Sequence, residues 1–386
     1  MKTGDIYKIY LESIAPGGEA LGRLEGKPVF VEGGAPDETA NCRITEDRKT
    51  WARAQVLEIV EASPVRTDSV CAFYGECGGC NLQHIDYNAQ LAAKTAILKE
   101  SLAKIGGLSP IEPEVFPSPP WEYRNRMQFH CLREKARGDG PSFGLMGRKK
   151  SDIIAVRDCP VADKGIRELL RRGGKDLPLP VEKDRFTVFS KGDLLLSEGS
   201  LQRGKIKILE TEILLDAGVF FQSNAAMLEK LILELRKIAS CAKGKAMADL
   251  YAGVGTFALF LGAVFEKIIL AEENKIAVSL ARENLRGKEV EFFALRDTEW
   301  EKAILRRKPA IDFAVADPPR AGLSPKLALS LAQEGPPLLA YVSCDPASLA
   351  RDSGVLVKGG YKLTKLSLFD FYPQTAHIES LAVFEK

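Results

Sequence analysis

No stretch of the 386 residues approaches the ~18 consecutive apolar residues that a membrane-spanning helix needs. The opening residues, MKTGDIYKIYLES, lack the apolar core of a secretory signal, so the chain is expected in the cytoplasm. Charge of one sign is not in excess either: 54 Lys and Arg stand against 52 Asp and Glu, a formal net charge of +2. So small a total decides nothing about nucleic acid, because a basic face can sit within a neutral whole. The eight cysteines are clustered rather than spread, which argues for metal binding or catalysis in a reducing compartment over a disulfide framework. What is present is 45% hydrophobic residues, enough to fill the cores of two or three globular domains.

Three segments emerge. Residues 1–62 carry short alternating apolar runs at 6–11, 29–31 and 54–59, separated by Gly-rich turns, the pattern of a small β-barrel that serves either in packing or in RNA contact. Residues 63–215 hold the cysteine cluster, an amphipathic helix near 88–104 expected to reach the C-terminal domain, and a β-rich middle. Within that middle, 121–150 has eight Lys/Arg against three acids. Arg124, Arg126, Arg133, Lys135, Arg137, Arg148, Lys149 and Lys150 are interleaved with Trp121, Tyr123, Phe129 and Phe143, as single-stranded RNA binding requires; a solvated charged face would read the same way. From 216 to 386, β-like runs at 246–251, 267–271, 290–294, 311–316 and 338–342 alternate with helical stretches, which predicts a doubly wound, Rossmann-like α/β domain. Sites in such folds lie beyond the carboxyl ends of the strands.

After the first of those strands comes Asp249-Leu250-Tyr251-Ala252-Gly253-Val254-Gly255-Thr256-Phe257-Ala258, where bare backbone can approach a ligand at a helix start. Glu272 follows Gly253 by nineteen residues, as a ribose-binding acid would. NAD and S-adenosylmethionine (SAM) both fit this loop. The fourth strand ends in Asp317-Pro318-Pro319-Arg320, a rigid turn that hydride transfer does not need and that base-modifying methyltransferases often carry. Arg320 stands where amino-group methyltransferases have an aromatic residue, which argues against that class.

The fifth strand runs into Ser343-Cys344-Asp345-Pro346, so Cys344 stands at the sheet's catalytic edge, whereas Cys42, Cys131 and Cys241 read as small buried hydrophobes. Uracil C5 becomes nucleophilic when a thiolate adds to C6, after which a base must remove the C5 proton. Glu379, with apolar Ile378 beside it at the start of a β-like run, is a base candidate, and His377 is a second. Cys71-x5-Cys77-Gly-Gly-Cys80 with the distant Cys159 supplies four thiolates, suited on chemistry alone to zinc or to a cubane cluster.

Together with Phe220-Phe221-Gln222-Ser223-Asn224, these motifs make the chain resemble the RNA (uracil-5-)-methyltransferases, especially the 23S rRNA members with an N-terminal TRAM barrel and an iron–sulfur cluster. The resemblance implies that Gln222, Tyr251, Gly253, Gly255, Glu272 and Asp317 bind SAM, that Cys344 attacks C6 and that Glu379 takes the C5 proton. It also implies an OB-like barrel, a central α+β domain whose Cys71, Cys77, Cys80 and Cys159 hold a [4Fe–4S] cluster, and a SAM-methyltransferase domain. The expected substrate is 23S rRNA with tRNA as competitor, the target uridine being unstacked before reaction. No obligate protein partner is expected. Asp345, where many relatives have Asn, departs from the pattern. A non-catalytic RNA-binding protein and an NAD-dependent oxidoreductase are the readings from other classes; neither requires Cys344 at a strand end.

Overall fold

The computed structural model describes all residues except 110, 133–142, 150–151, 175–176, 181, 243, 301–302 and 304–310. The expected basic residues Arg133, Lys135, Arg137 and Lys150 lie outside the described set.

Strands β1 (Ile6–Ile14), β2 (Ala20–Leu24), β3 (Lys27–Glu32), β4 (Glu38–Asp47) and β5 (Ala52–Glu61) close into a barrel in the order β1-β2-β3-β5-β4. Alternation along each strand sends Ile9, Leu11, Val29, Val31, Cys42 and Ile44 inward, where they form the barrel's core. Helix α1 (Tyr87–Lys104) follows, started by Asp86, whose side chain accepts hydrogen bonds from the N–H groups of Asn88 and Ala89. Strand β6 (Glu114–Phe116) then joins the C-terminal sheet as its edge.

The middle of the chain forms a second sheet in the order β11-β10-β7-β8-β9. Its strands are β7 (Arg126–Cys131), β8 (Phe143–Met146), β9 (Ile153–Ile154), β10 (Arg185–Lys191) and β11 (Leu194–Ser197), with helix α2 (Lys164–Arg171) between β9 and β10. Here one expectation fails. Tyr123, Phe129 and Phe143 are buried, and the rings of Phe129, Phe143 and Phe186 pack within 4.8–5.9 Å of one another. They form the core of this sheet and are not available for bases to stack on. The interleaving of cations and aromatics is strand alternation, with Met127 and Phe129 pointing inward. A hairpin of β12 (Arg203–Ile208) and β13 (Thr211–Asp216) leads into the C-terminal body.

That body is an eight-stranded sheet in the order β16-β15-β14-β17-β18-β20-β19-β6. It comprises α3 (Ala225–Ser240), β14 (Ala246–Leu250), α4 (Thr256–Leu261), β15 (Lys267–Ala271), α5 (Lys275–Asn284), β16 (Val290–Phe293) and β17 (Phe313–Ala316). The rest is α6 (Pro325–Glu334), β18 (Leu338–Ser343), α7 (Pro346–Lys358), β19 (Lys362–Phe369) and β20 (Glu379–Glu385). The five expected strands pair in parallel, and β20 enters antiparallel between β18 and β19. Chain order reverses at β14, which lies between β15 and β17; ligands bind at such a switch point. Helix α1 packs on α7. Among the described residues no helix is long and apolar enough to cross a membrane.

Candidate active site

A pocket of about 730 Å³ opens beyond the carboxyl ends of these parallel strands. Gln222, Tyr251, Gly253, Glu272, Asp317, Cys344 and Glu379 all line it, so nearly every expected site residue outside the cysteine cluster converges there. Gly255 does not line it. That glycine has φ 80° at the start of α4, and a Cβ there would meet Ala281, Leu285 and Leu270 at 3.2–3.3 Å; it serves close packing of helix on strand.

One end of the pocket is polar and held from behind. Tyr251, itself left-handed at φ 60°, donates its hydroxyl to Asp297 Oδ2 at 2.9 Å and sets its ring edge-on to Trp300. Glu272 accepts from the N–H groups of Gly253 (3.0 Å) and Asn274 (2.8 Å), fixing the glycine loop to the end of β15. Gly253 has φ 54°, and nothing lies within 4 Å of where its Cβ would be, so the backbone there is open to a ligand. Asp297 and Trp300 are lining residues that sequence reasoning missed, because β16 ends without a motif.

The other end gathers Asp317, Glu379 and Cys344, with the Arg320 guanidinium opposing them. Burial pushes the carboxyl of Asp317 up to about 7 against the hydrogen bond that Gln222 Nε2 donates to it at 3.3 Å. Glu379 is 4% exposed. Burial, and then the negative charge of Asp317, raise its carboxyl well above the usual range, while Arg320 opposes. Burial, followed by the charges of Glu379 and Asp317, pushes the Cys344 thiol up to about 12. His377 goes the other way: burial and then the Arg320 and Arg124 guanidiniums lower it to about 4. Its Nδ1 lies 3.3 Å from Arg320 Nη2. At neutral pH it is an uncharged imidazole of low basicity, so Glu379 is the better proton acceptor once ionised.

Cys344 is presented by an elbow between β18 and α7. Asp345 caps α7, its Oδ1 accepting from Ser348 N at 2.7 Å, and Ser343 Oγ accepts from Asp345 N at 3.2 Å. An aspartate serves as helix cap as well as an asparagine does, so the departure at this position leaves the elbow intact. The thiol therefore sits half-buried before the N-terminus of a 13-residue helix, whose dipole favours the thiolate.

Cys71, Cys77, Cys80 and Cys159 surround a second, much smaller cavity, walled by Phe73, Val156 and Val161. Burial raises the thiols of Cys77 and Cys80, and that of Cys159 to about 12. Among the described residues, no three His, Cys, Asp or Glu side chains stand as they are in an arrangement that holds a metal ion. Of the other cysteines, Cys42 is buried as expected, but Cys131 is half-buried and Cys241, which caps the C-terminus of α3, is exposed. A third cavity, about 890 Å³, runs between the barrel and the middle sheet past Arg53, Arg148 and Gln128. Arg124 lines all three cavities.

With this geometry in view, comparisons with known proteins are informative. Residues 210–386 match the family model for tRNA (uracil-5-)-methyltransferase, and residues 2–57 match that of the TRAM domain. An uncharacterized RNA methyltransferase of Treponema denticola is 33% identical, over 94% of each chain. The 23S rRNA (uracil(1939)-C(5))-methyltransferase RlmD of Shewanella piezotolerans is 29% identical over 95% of this chain and 93% of its own. In fold, the chain is similar to the Pyrococcus abyssi tRNA (uracil-54, C5)-methyltransferase solved with S-adenosyl-L-homocysteine: TM-score 0.74, 24% identity, 98% of this chain and 100% of that one.

Proposed function

This chain belongs to the SAM-dependent RNA uracil-C5-methyltransferase family, and we propose that it methylates 23S rRNA, with Cys344 as nucleophile and Glu379 as base. The convergence of a thiol, a buried carboxyl and the Asp317 carboxyl on one pocket beside an open glycine loop carries this reading. Bound SAM supplies an electrophilic methyl group on a sulfonium cation. Tyr251, Gly253 and Glu272 would hold its nucleoside end, and Gln222 and Asp317 the end nearer the chemistry.

Cys344 Sγ adds to uracil C6, C5 takes the methyl group, Glu379 removes the C5 proton, and the C6–S bond breaks to restore the ring and the thiolate. In the free protein burial and mutual repulsion raise the pKa values of these acids. A cation bound among them lowers every one of their pKa values, so cofactor binding favours both thiolate and carboxylate. Exposed Phe220 at the pocket mouth, with the Arg126 guanidinium 5.5 Å from its ring centroid, offers a stacking face and a cation to an unstacked nucleotide. The cavity beyond Arg124, where Arg53 and Arg148 pair with Glu19 and Glu32, then continues as a polar path for neighbouring nucleotides. We take 1–62, 63–215 and 216–386 as the three units, with α1 and β6 of the middle unit built into the methyl-transferring body.

Full-length similarity to 23S rRNA enzymes supports rRNA as substrate. The test is tritium release from [5-³H]uridine-labelled unmodified 23S rRNA and, separately, tRNA. Release from rRNA is expected; release from tRNA alone would keep the chemistry and overturn the substrate.

The four thiols around one apolar-walled cavity fit a cluster with four cysteine ligands, and we assign Cys71, Cys77, Cys80 and Cys159 as its holders. Anaerobically purified protein is expected to be brown, with about four irons and four sulfides per chain. A colourless protein carrying about one zinc would replace the cluster by a structural zinc site.

A further inference from the structure

Residues 370–378, between β19 and β20, carry Tyr372 and His377 on the pocket wall and lead directly into Glu379. Side chains from distant parts of the sequence hold this segment. Gln374 stands at its centre with φ 68°, a left-handed conformation that a residue with a Cβ avoids unless its surroundings impose it. What imposes it is a buried amide pair: Gln374 N donates to Gln90 Oε1 at 2.9 Å, and Gln90 Nε2 donates to Gln374 Oε1 at 3.0 Å. The carbonyl of Gln374 accepts in turn from the N–H groups of Asn81 (3.1 Å) and Leu82 (3.0 Å).

Asn81 makes two further bonds. Its Oδ1 accepts from Ala376 N at 2.9 Å, three residues before Glu379, and its Nδ2 donates to Gly17 O, in the β1–β2 turn of the barrel, at 2.7 Å. It is also the residue immediately after Cys80. One half-exposed side chain thus ties barrel, cysteine loop and base-bearing segment together.

We infer that Asn81 is a positioning residue for Glu379, transmitting the order of the cysteine loop and barrel to the base through its bond to Ala376. Cys344, by contrast, is set by β18 and the cap of α7, which Asn81 does not touch. Loss of the Asn81 bond therefore separates the two halves of the reaction: addition of the thiolate to C6 persists, and removal of the C5 proton slows. The inference rests on the role of Glu379 proposed above.

Single-turnover reactions of the full-length protein with SAM and [5-³H]uridine rRNA test it, following denaturation-resistant protein–RNA adduct and tritium release together. Asn81→Ala is expected to slow release about tenfold or more while adduct forms within about twofold of the parent rate, so that adduct accumulates. Asn81→Asp keeps the acceptor for Ala376 N and is expected to release tritium within about threefold of the parent. SAM affinity, which depends on Gln222, Tyr251, Gly253, Glu272 and Asp317 and on none of the partners of Asn81, stays unchanged and certifies the fold. Were the alanine variant not to fold, Asn81→Ser, too short to reach Ala376, makes the same comparison. A parallel fall of adduct and release in the alanine or serine variant would reveal a merely structural role and overturn the inference, as would no change in either, or an aspartate variant as slow as alanine. No release by the parent protein would instead sink the underlying uracil chemistry.

Discussion

Replacement of Cys344 by Ala is expected to abolish methylation, by on the order of 10³-fold or more, and to abolish protein–RNA adduct with it, because loss of a covalent nucleophile removes the step that makes C5 reactive. SAM binding should persist, since the nucleoside end of the pocket does not involve the thiol. Glu379→Gln should behave differently. The amide cannot accept the C5 proton, so elimination fails after the methyl group has arrived, and adduct accumulates. The same substitution removes a carboxylate whose charge helps hold the Cys344 thiol up, so thiolate addition is not impeded. Denaturing gel electrophoresis with labelled RNA separates the two variants: no band for Cys344→Ala, a persistent one for Glu379→Gln. Full turnover by either would end the corresponding assignment.

Lys94→Met is expected to lower stability by about 3–5 kcal/mol, the cost of leaving one member of a buried ion pair uncompensated. Lys94 Nζ lies 2.6 Å from Asp370 Oδ1, with the two side chains 1% and 0% exposed, and it also donates to Tyr372 O at 3.0 Å. Burial lowers the pKa of Lys94, and the adjacent carboxylate opposes that shift. The double variant Lys94→Met with Asp370→Leu should recover most of the loss, because two apolar groups replace a pair that was costly to desolvate. Urea unfolding of the parent and the variants measures this. A single variant less than about 1 kcal/mol below the parent would mean that water reaches Asp370.

The parallel strands and the site loops were legible because four of the five β-like runs of the parallel sheet end in a chemically distinctive loop. Glycines follow β14, Glu272 follows β15, Asp317-Pro-Pro-Arg follows β17 and Ser-Cys-Asp-Pro follows β18. Strand β16 has no such punctuation, and Asp297 and Trp300 went unnoticed with it. In the middle sheet the pattern misled. A strand with one buried face places cations beside aromatics in sequence while turning them to opposite sides, so Phe129 read as a stacking surface when it is core. Equally hidden was Gln90, a polar residue 1% exposed on a helix that otherwise reads as a packing element; its partner is 284 residues away.

The insertion of β20 between β18 and β19 has a bearing on assembly. Both flanking strands are made before the strand that must separate them, so neither can complete its pairing until β20 arrives. Register then sets Ser380 opposite Ser343, and Glu379 opposite Phe369, in one zippering event. Until β20 is in place, Cys344 stands at the end of a strand whose edge lacks its partner and the Glu379 carboxyl. An open edge of this kind is the part of the sheet most exposed to wrong partners meanwhile.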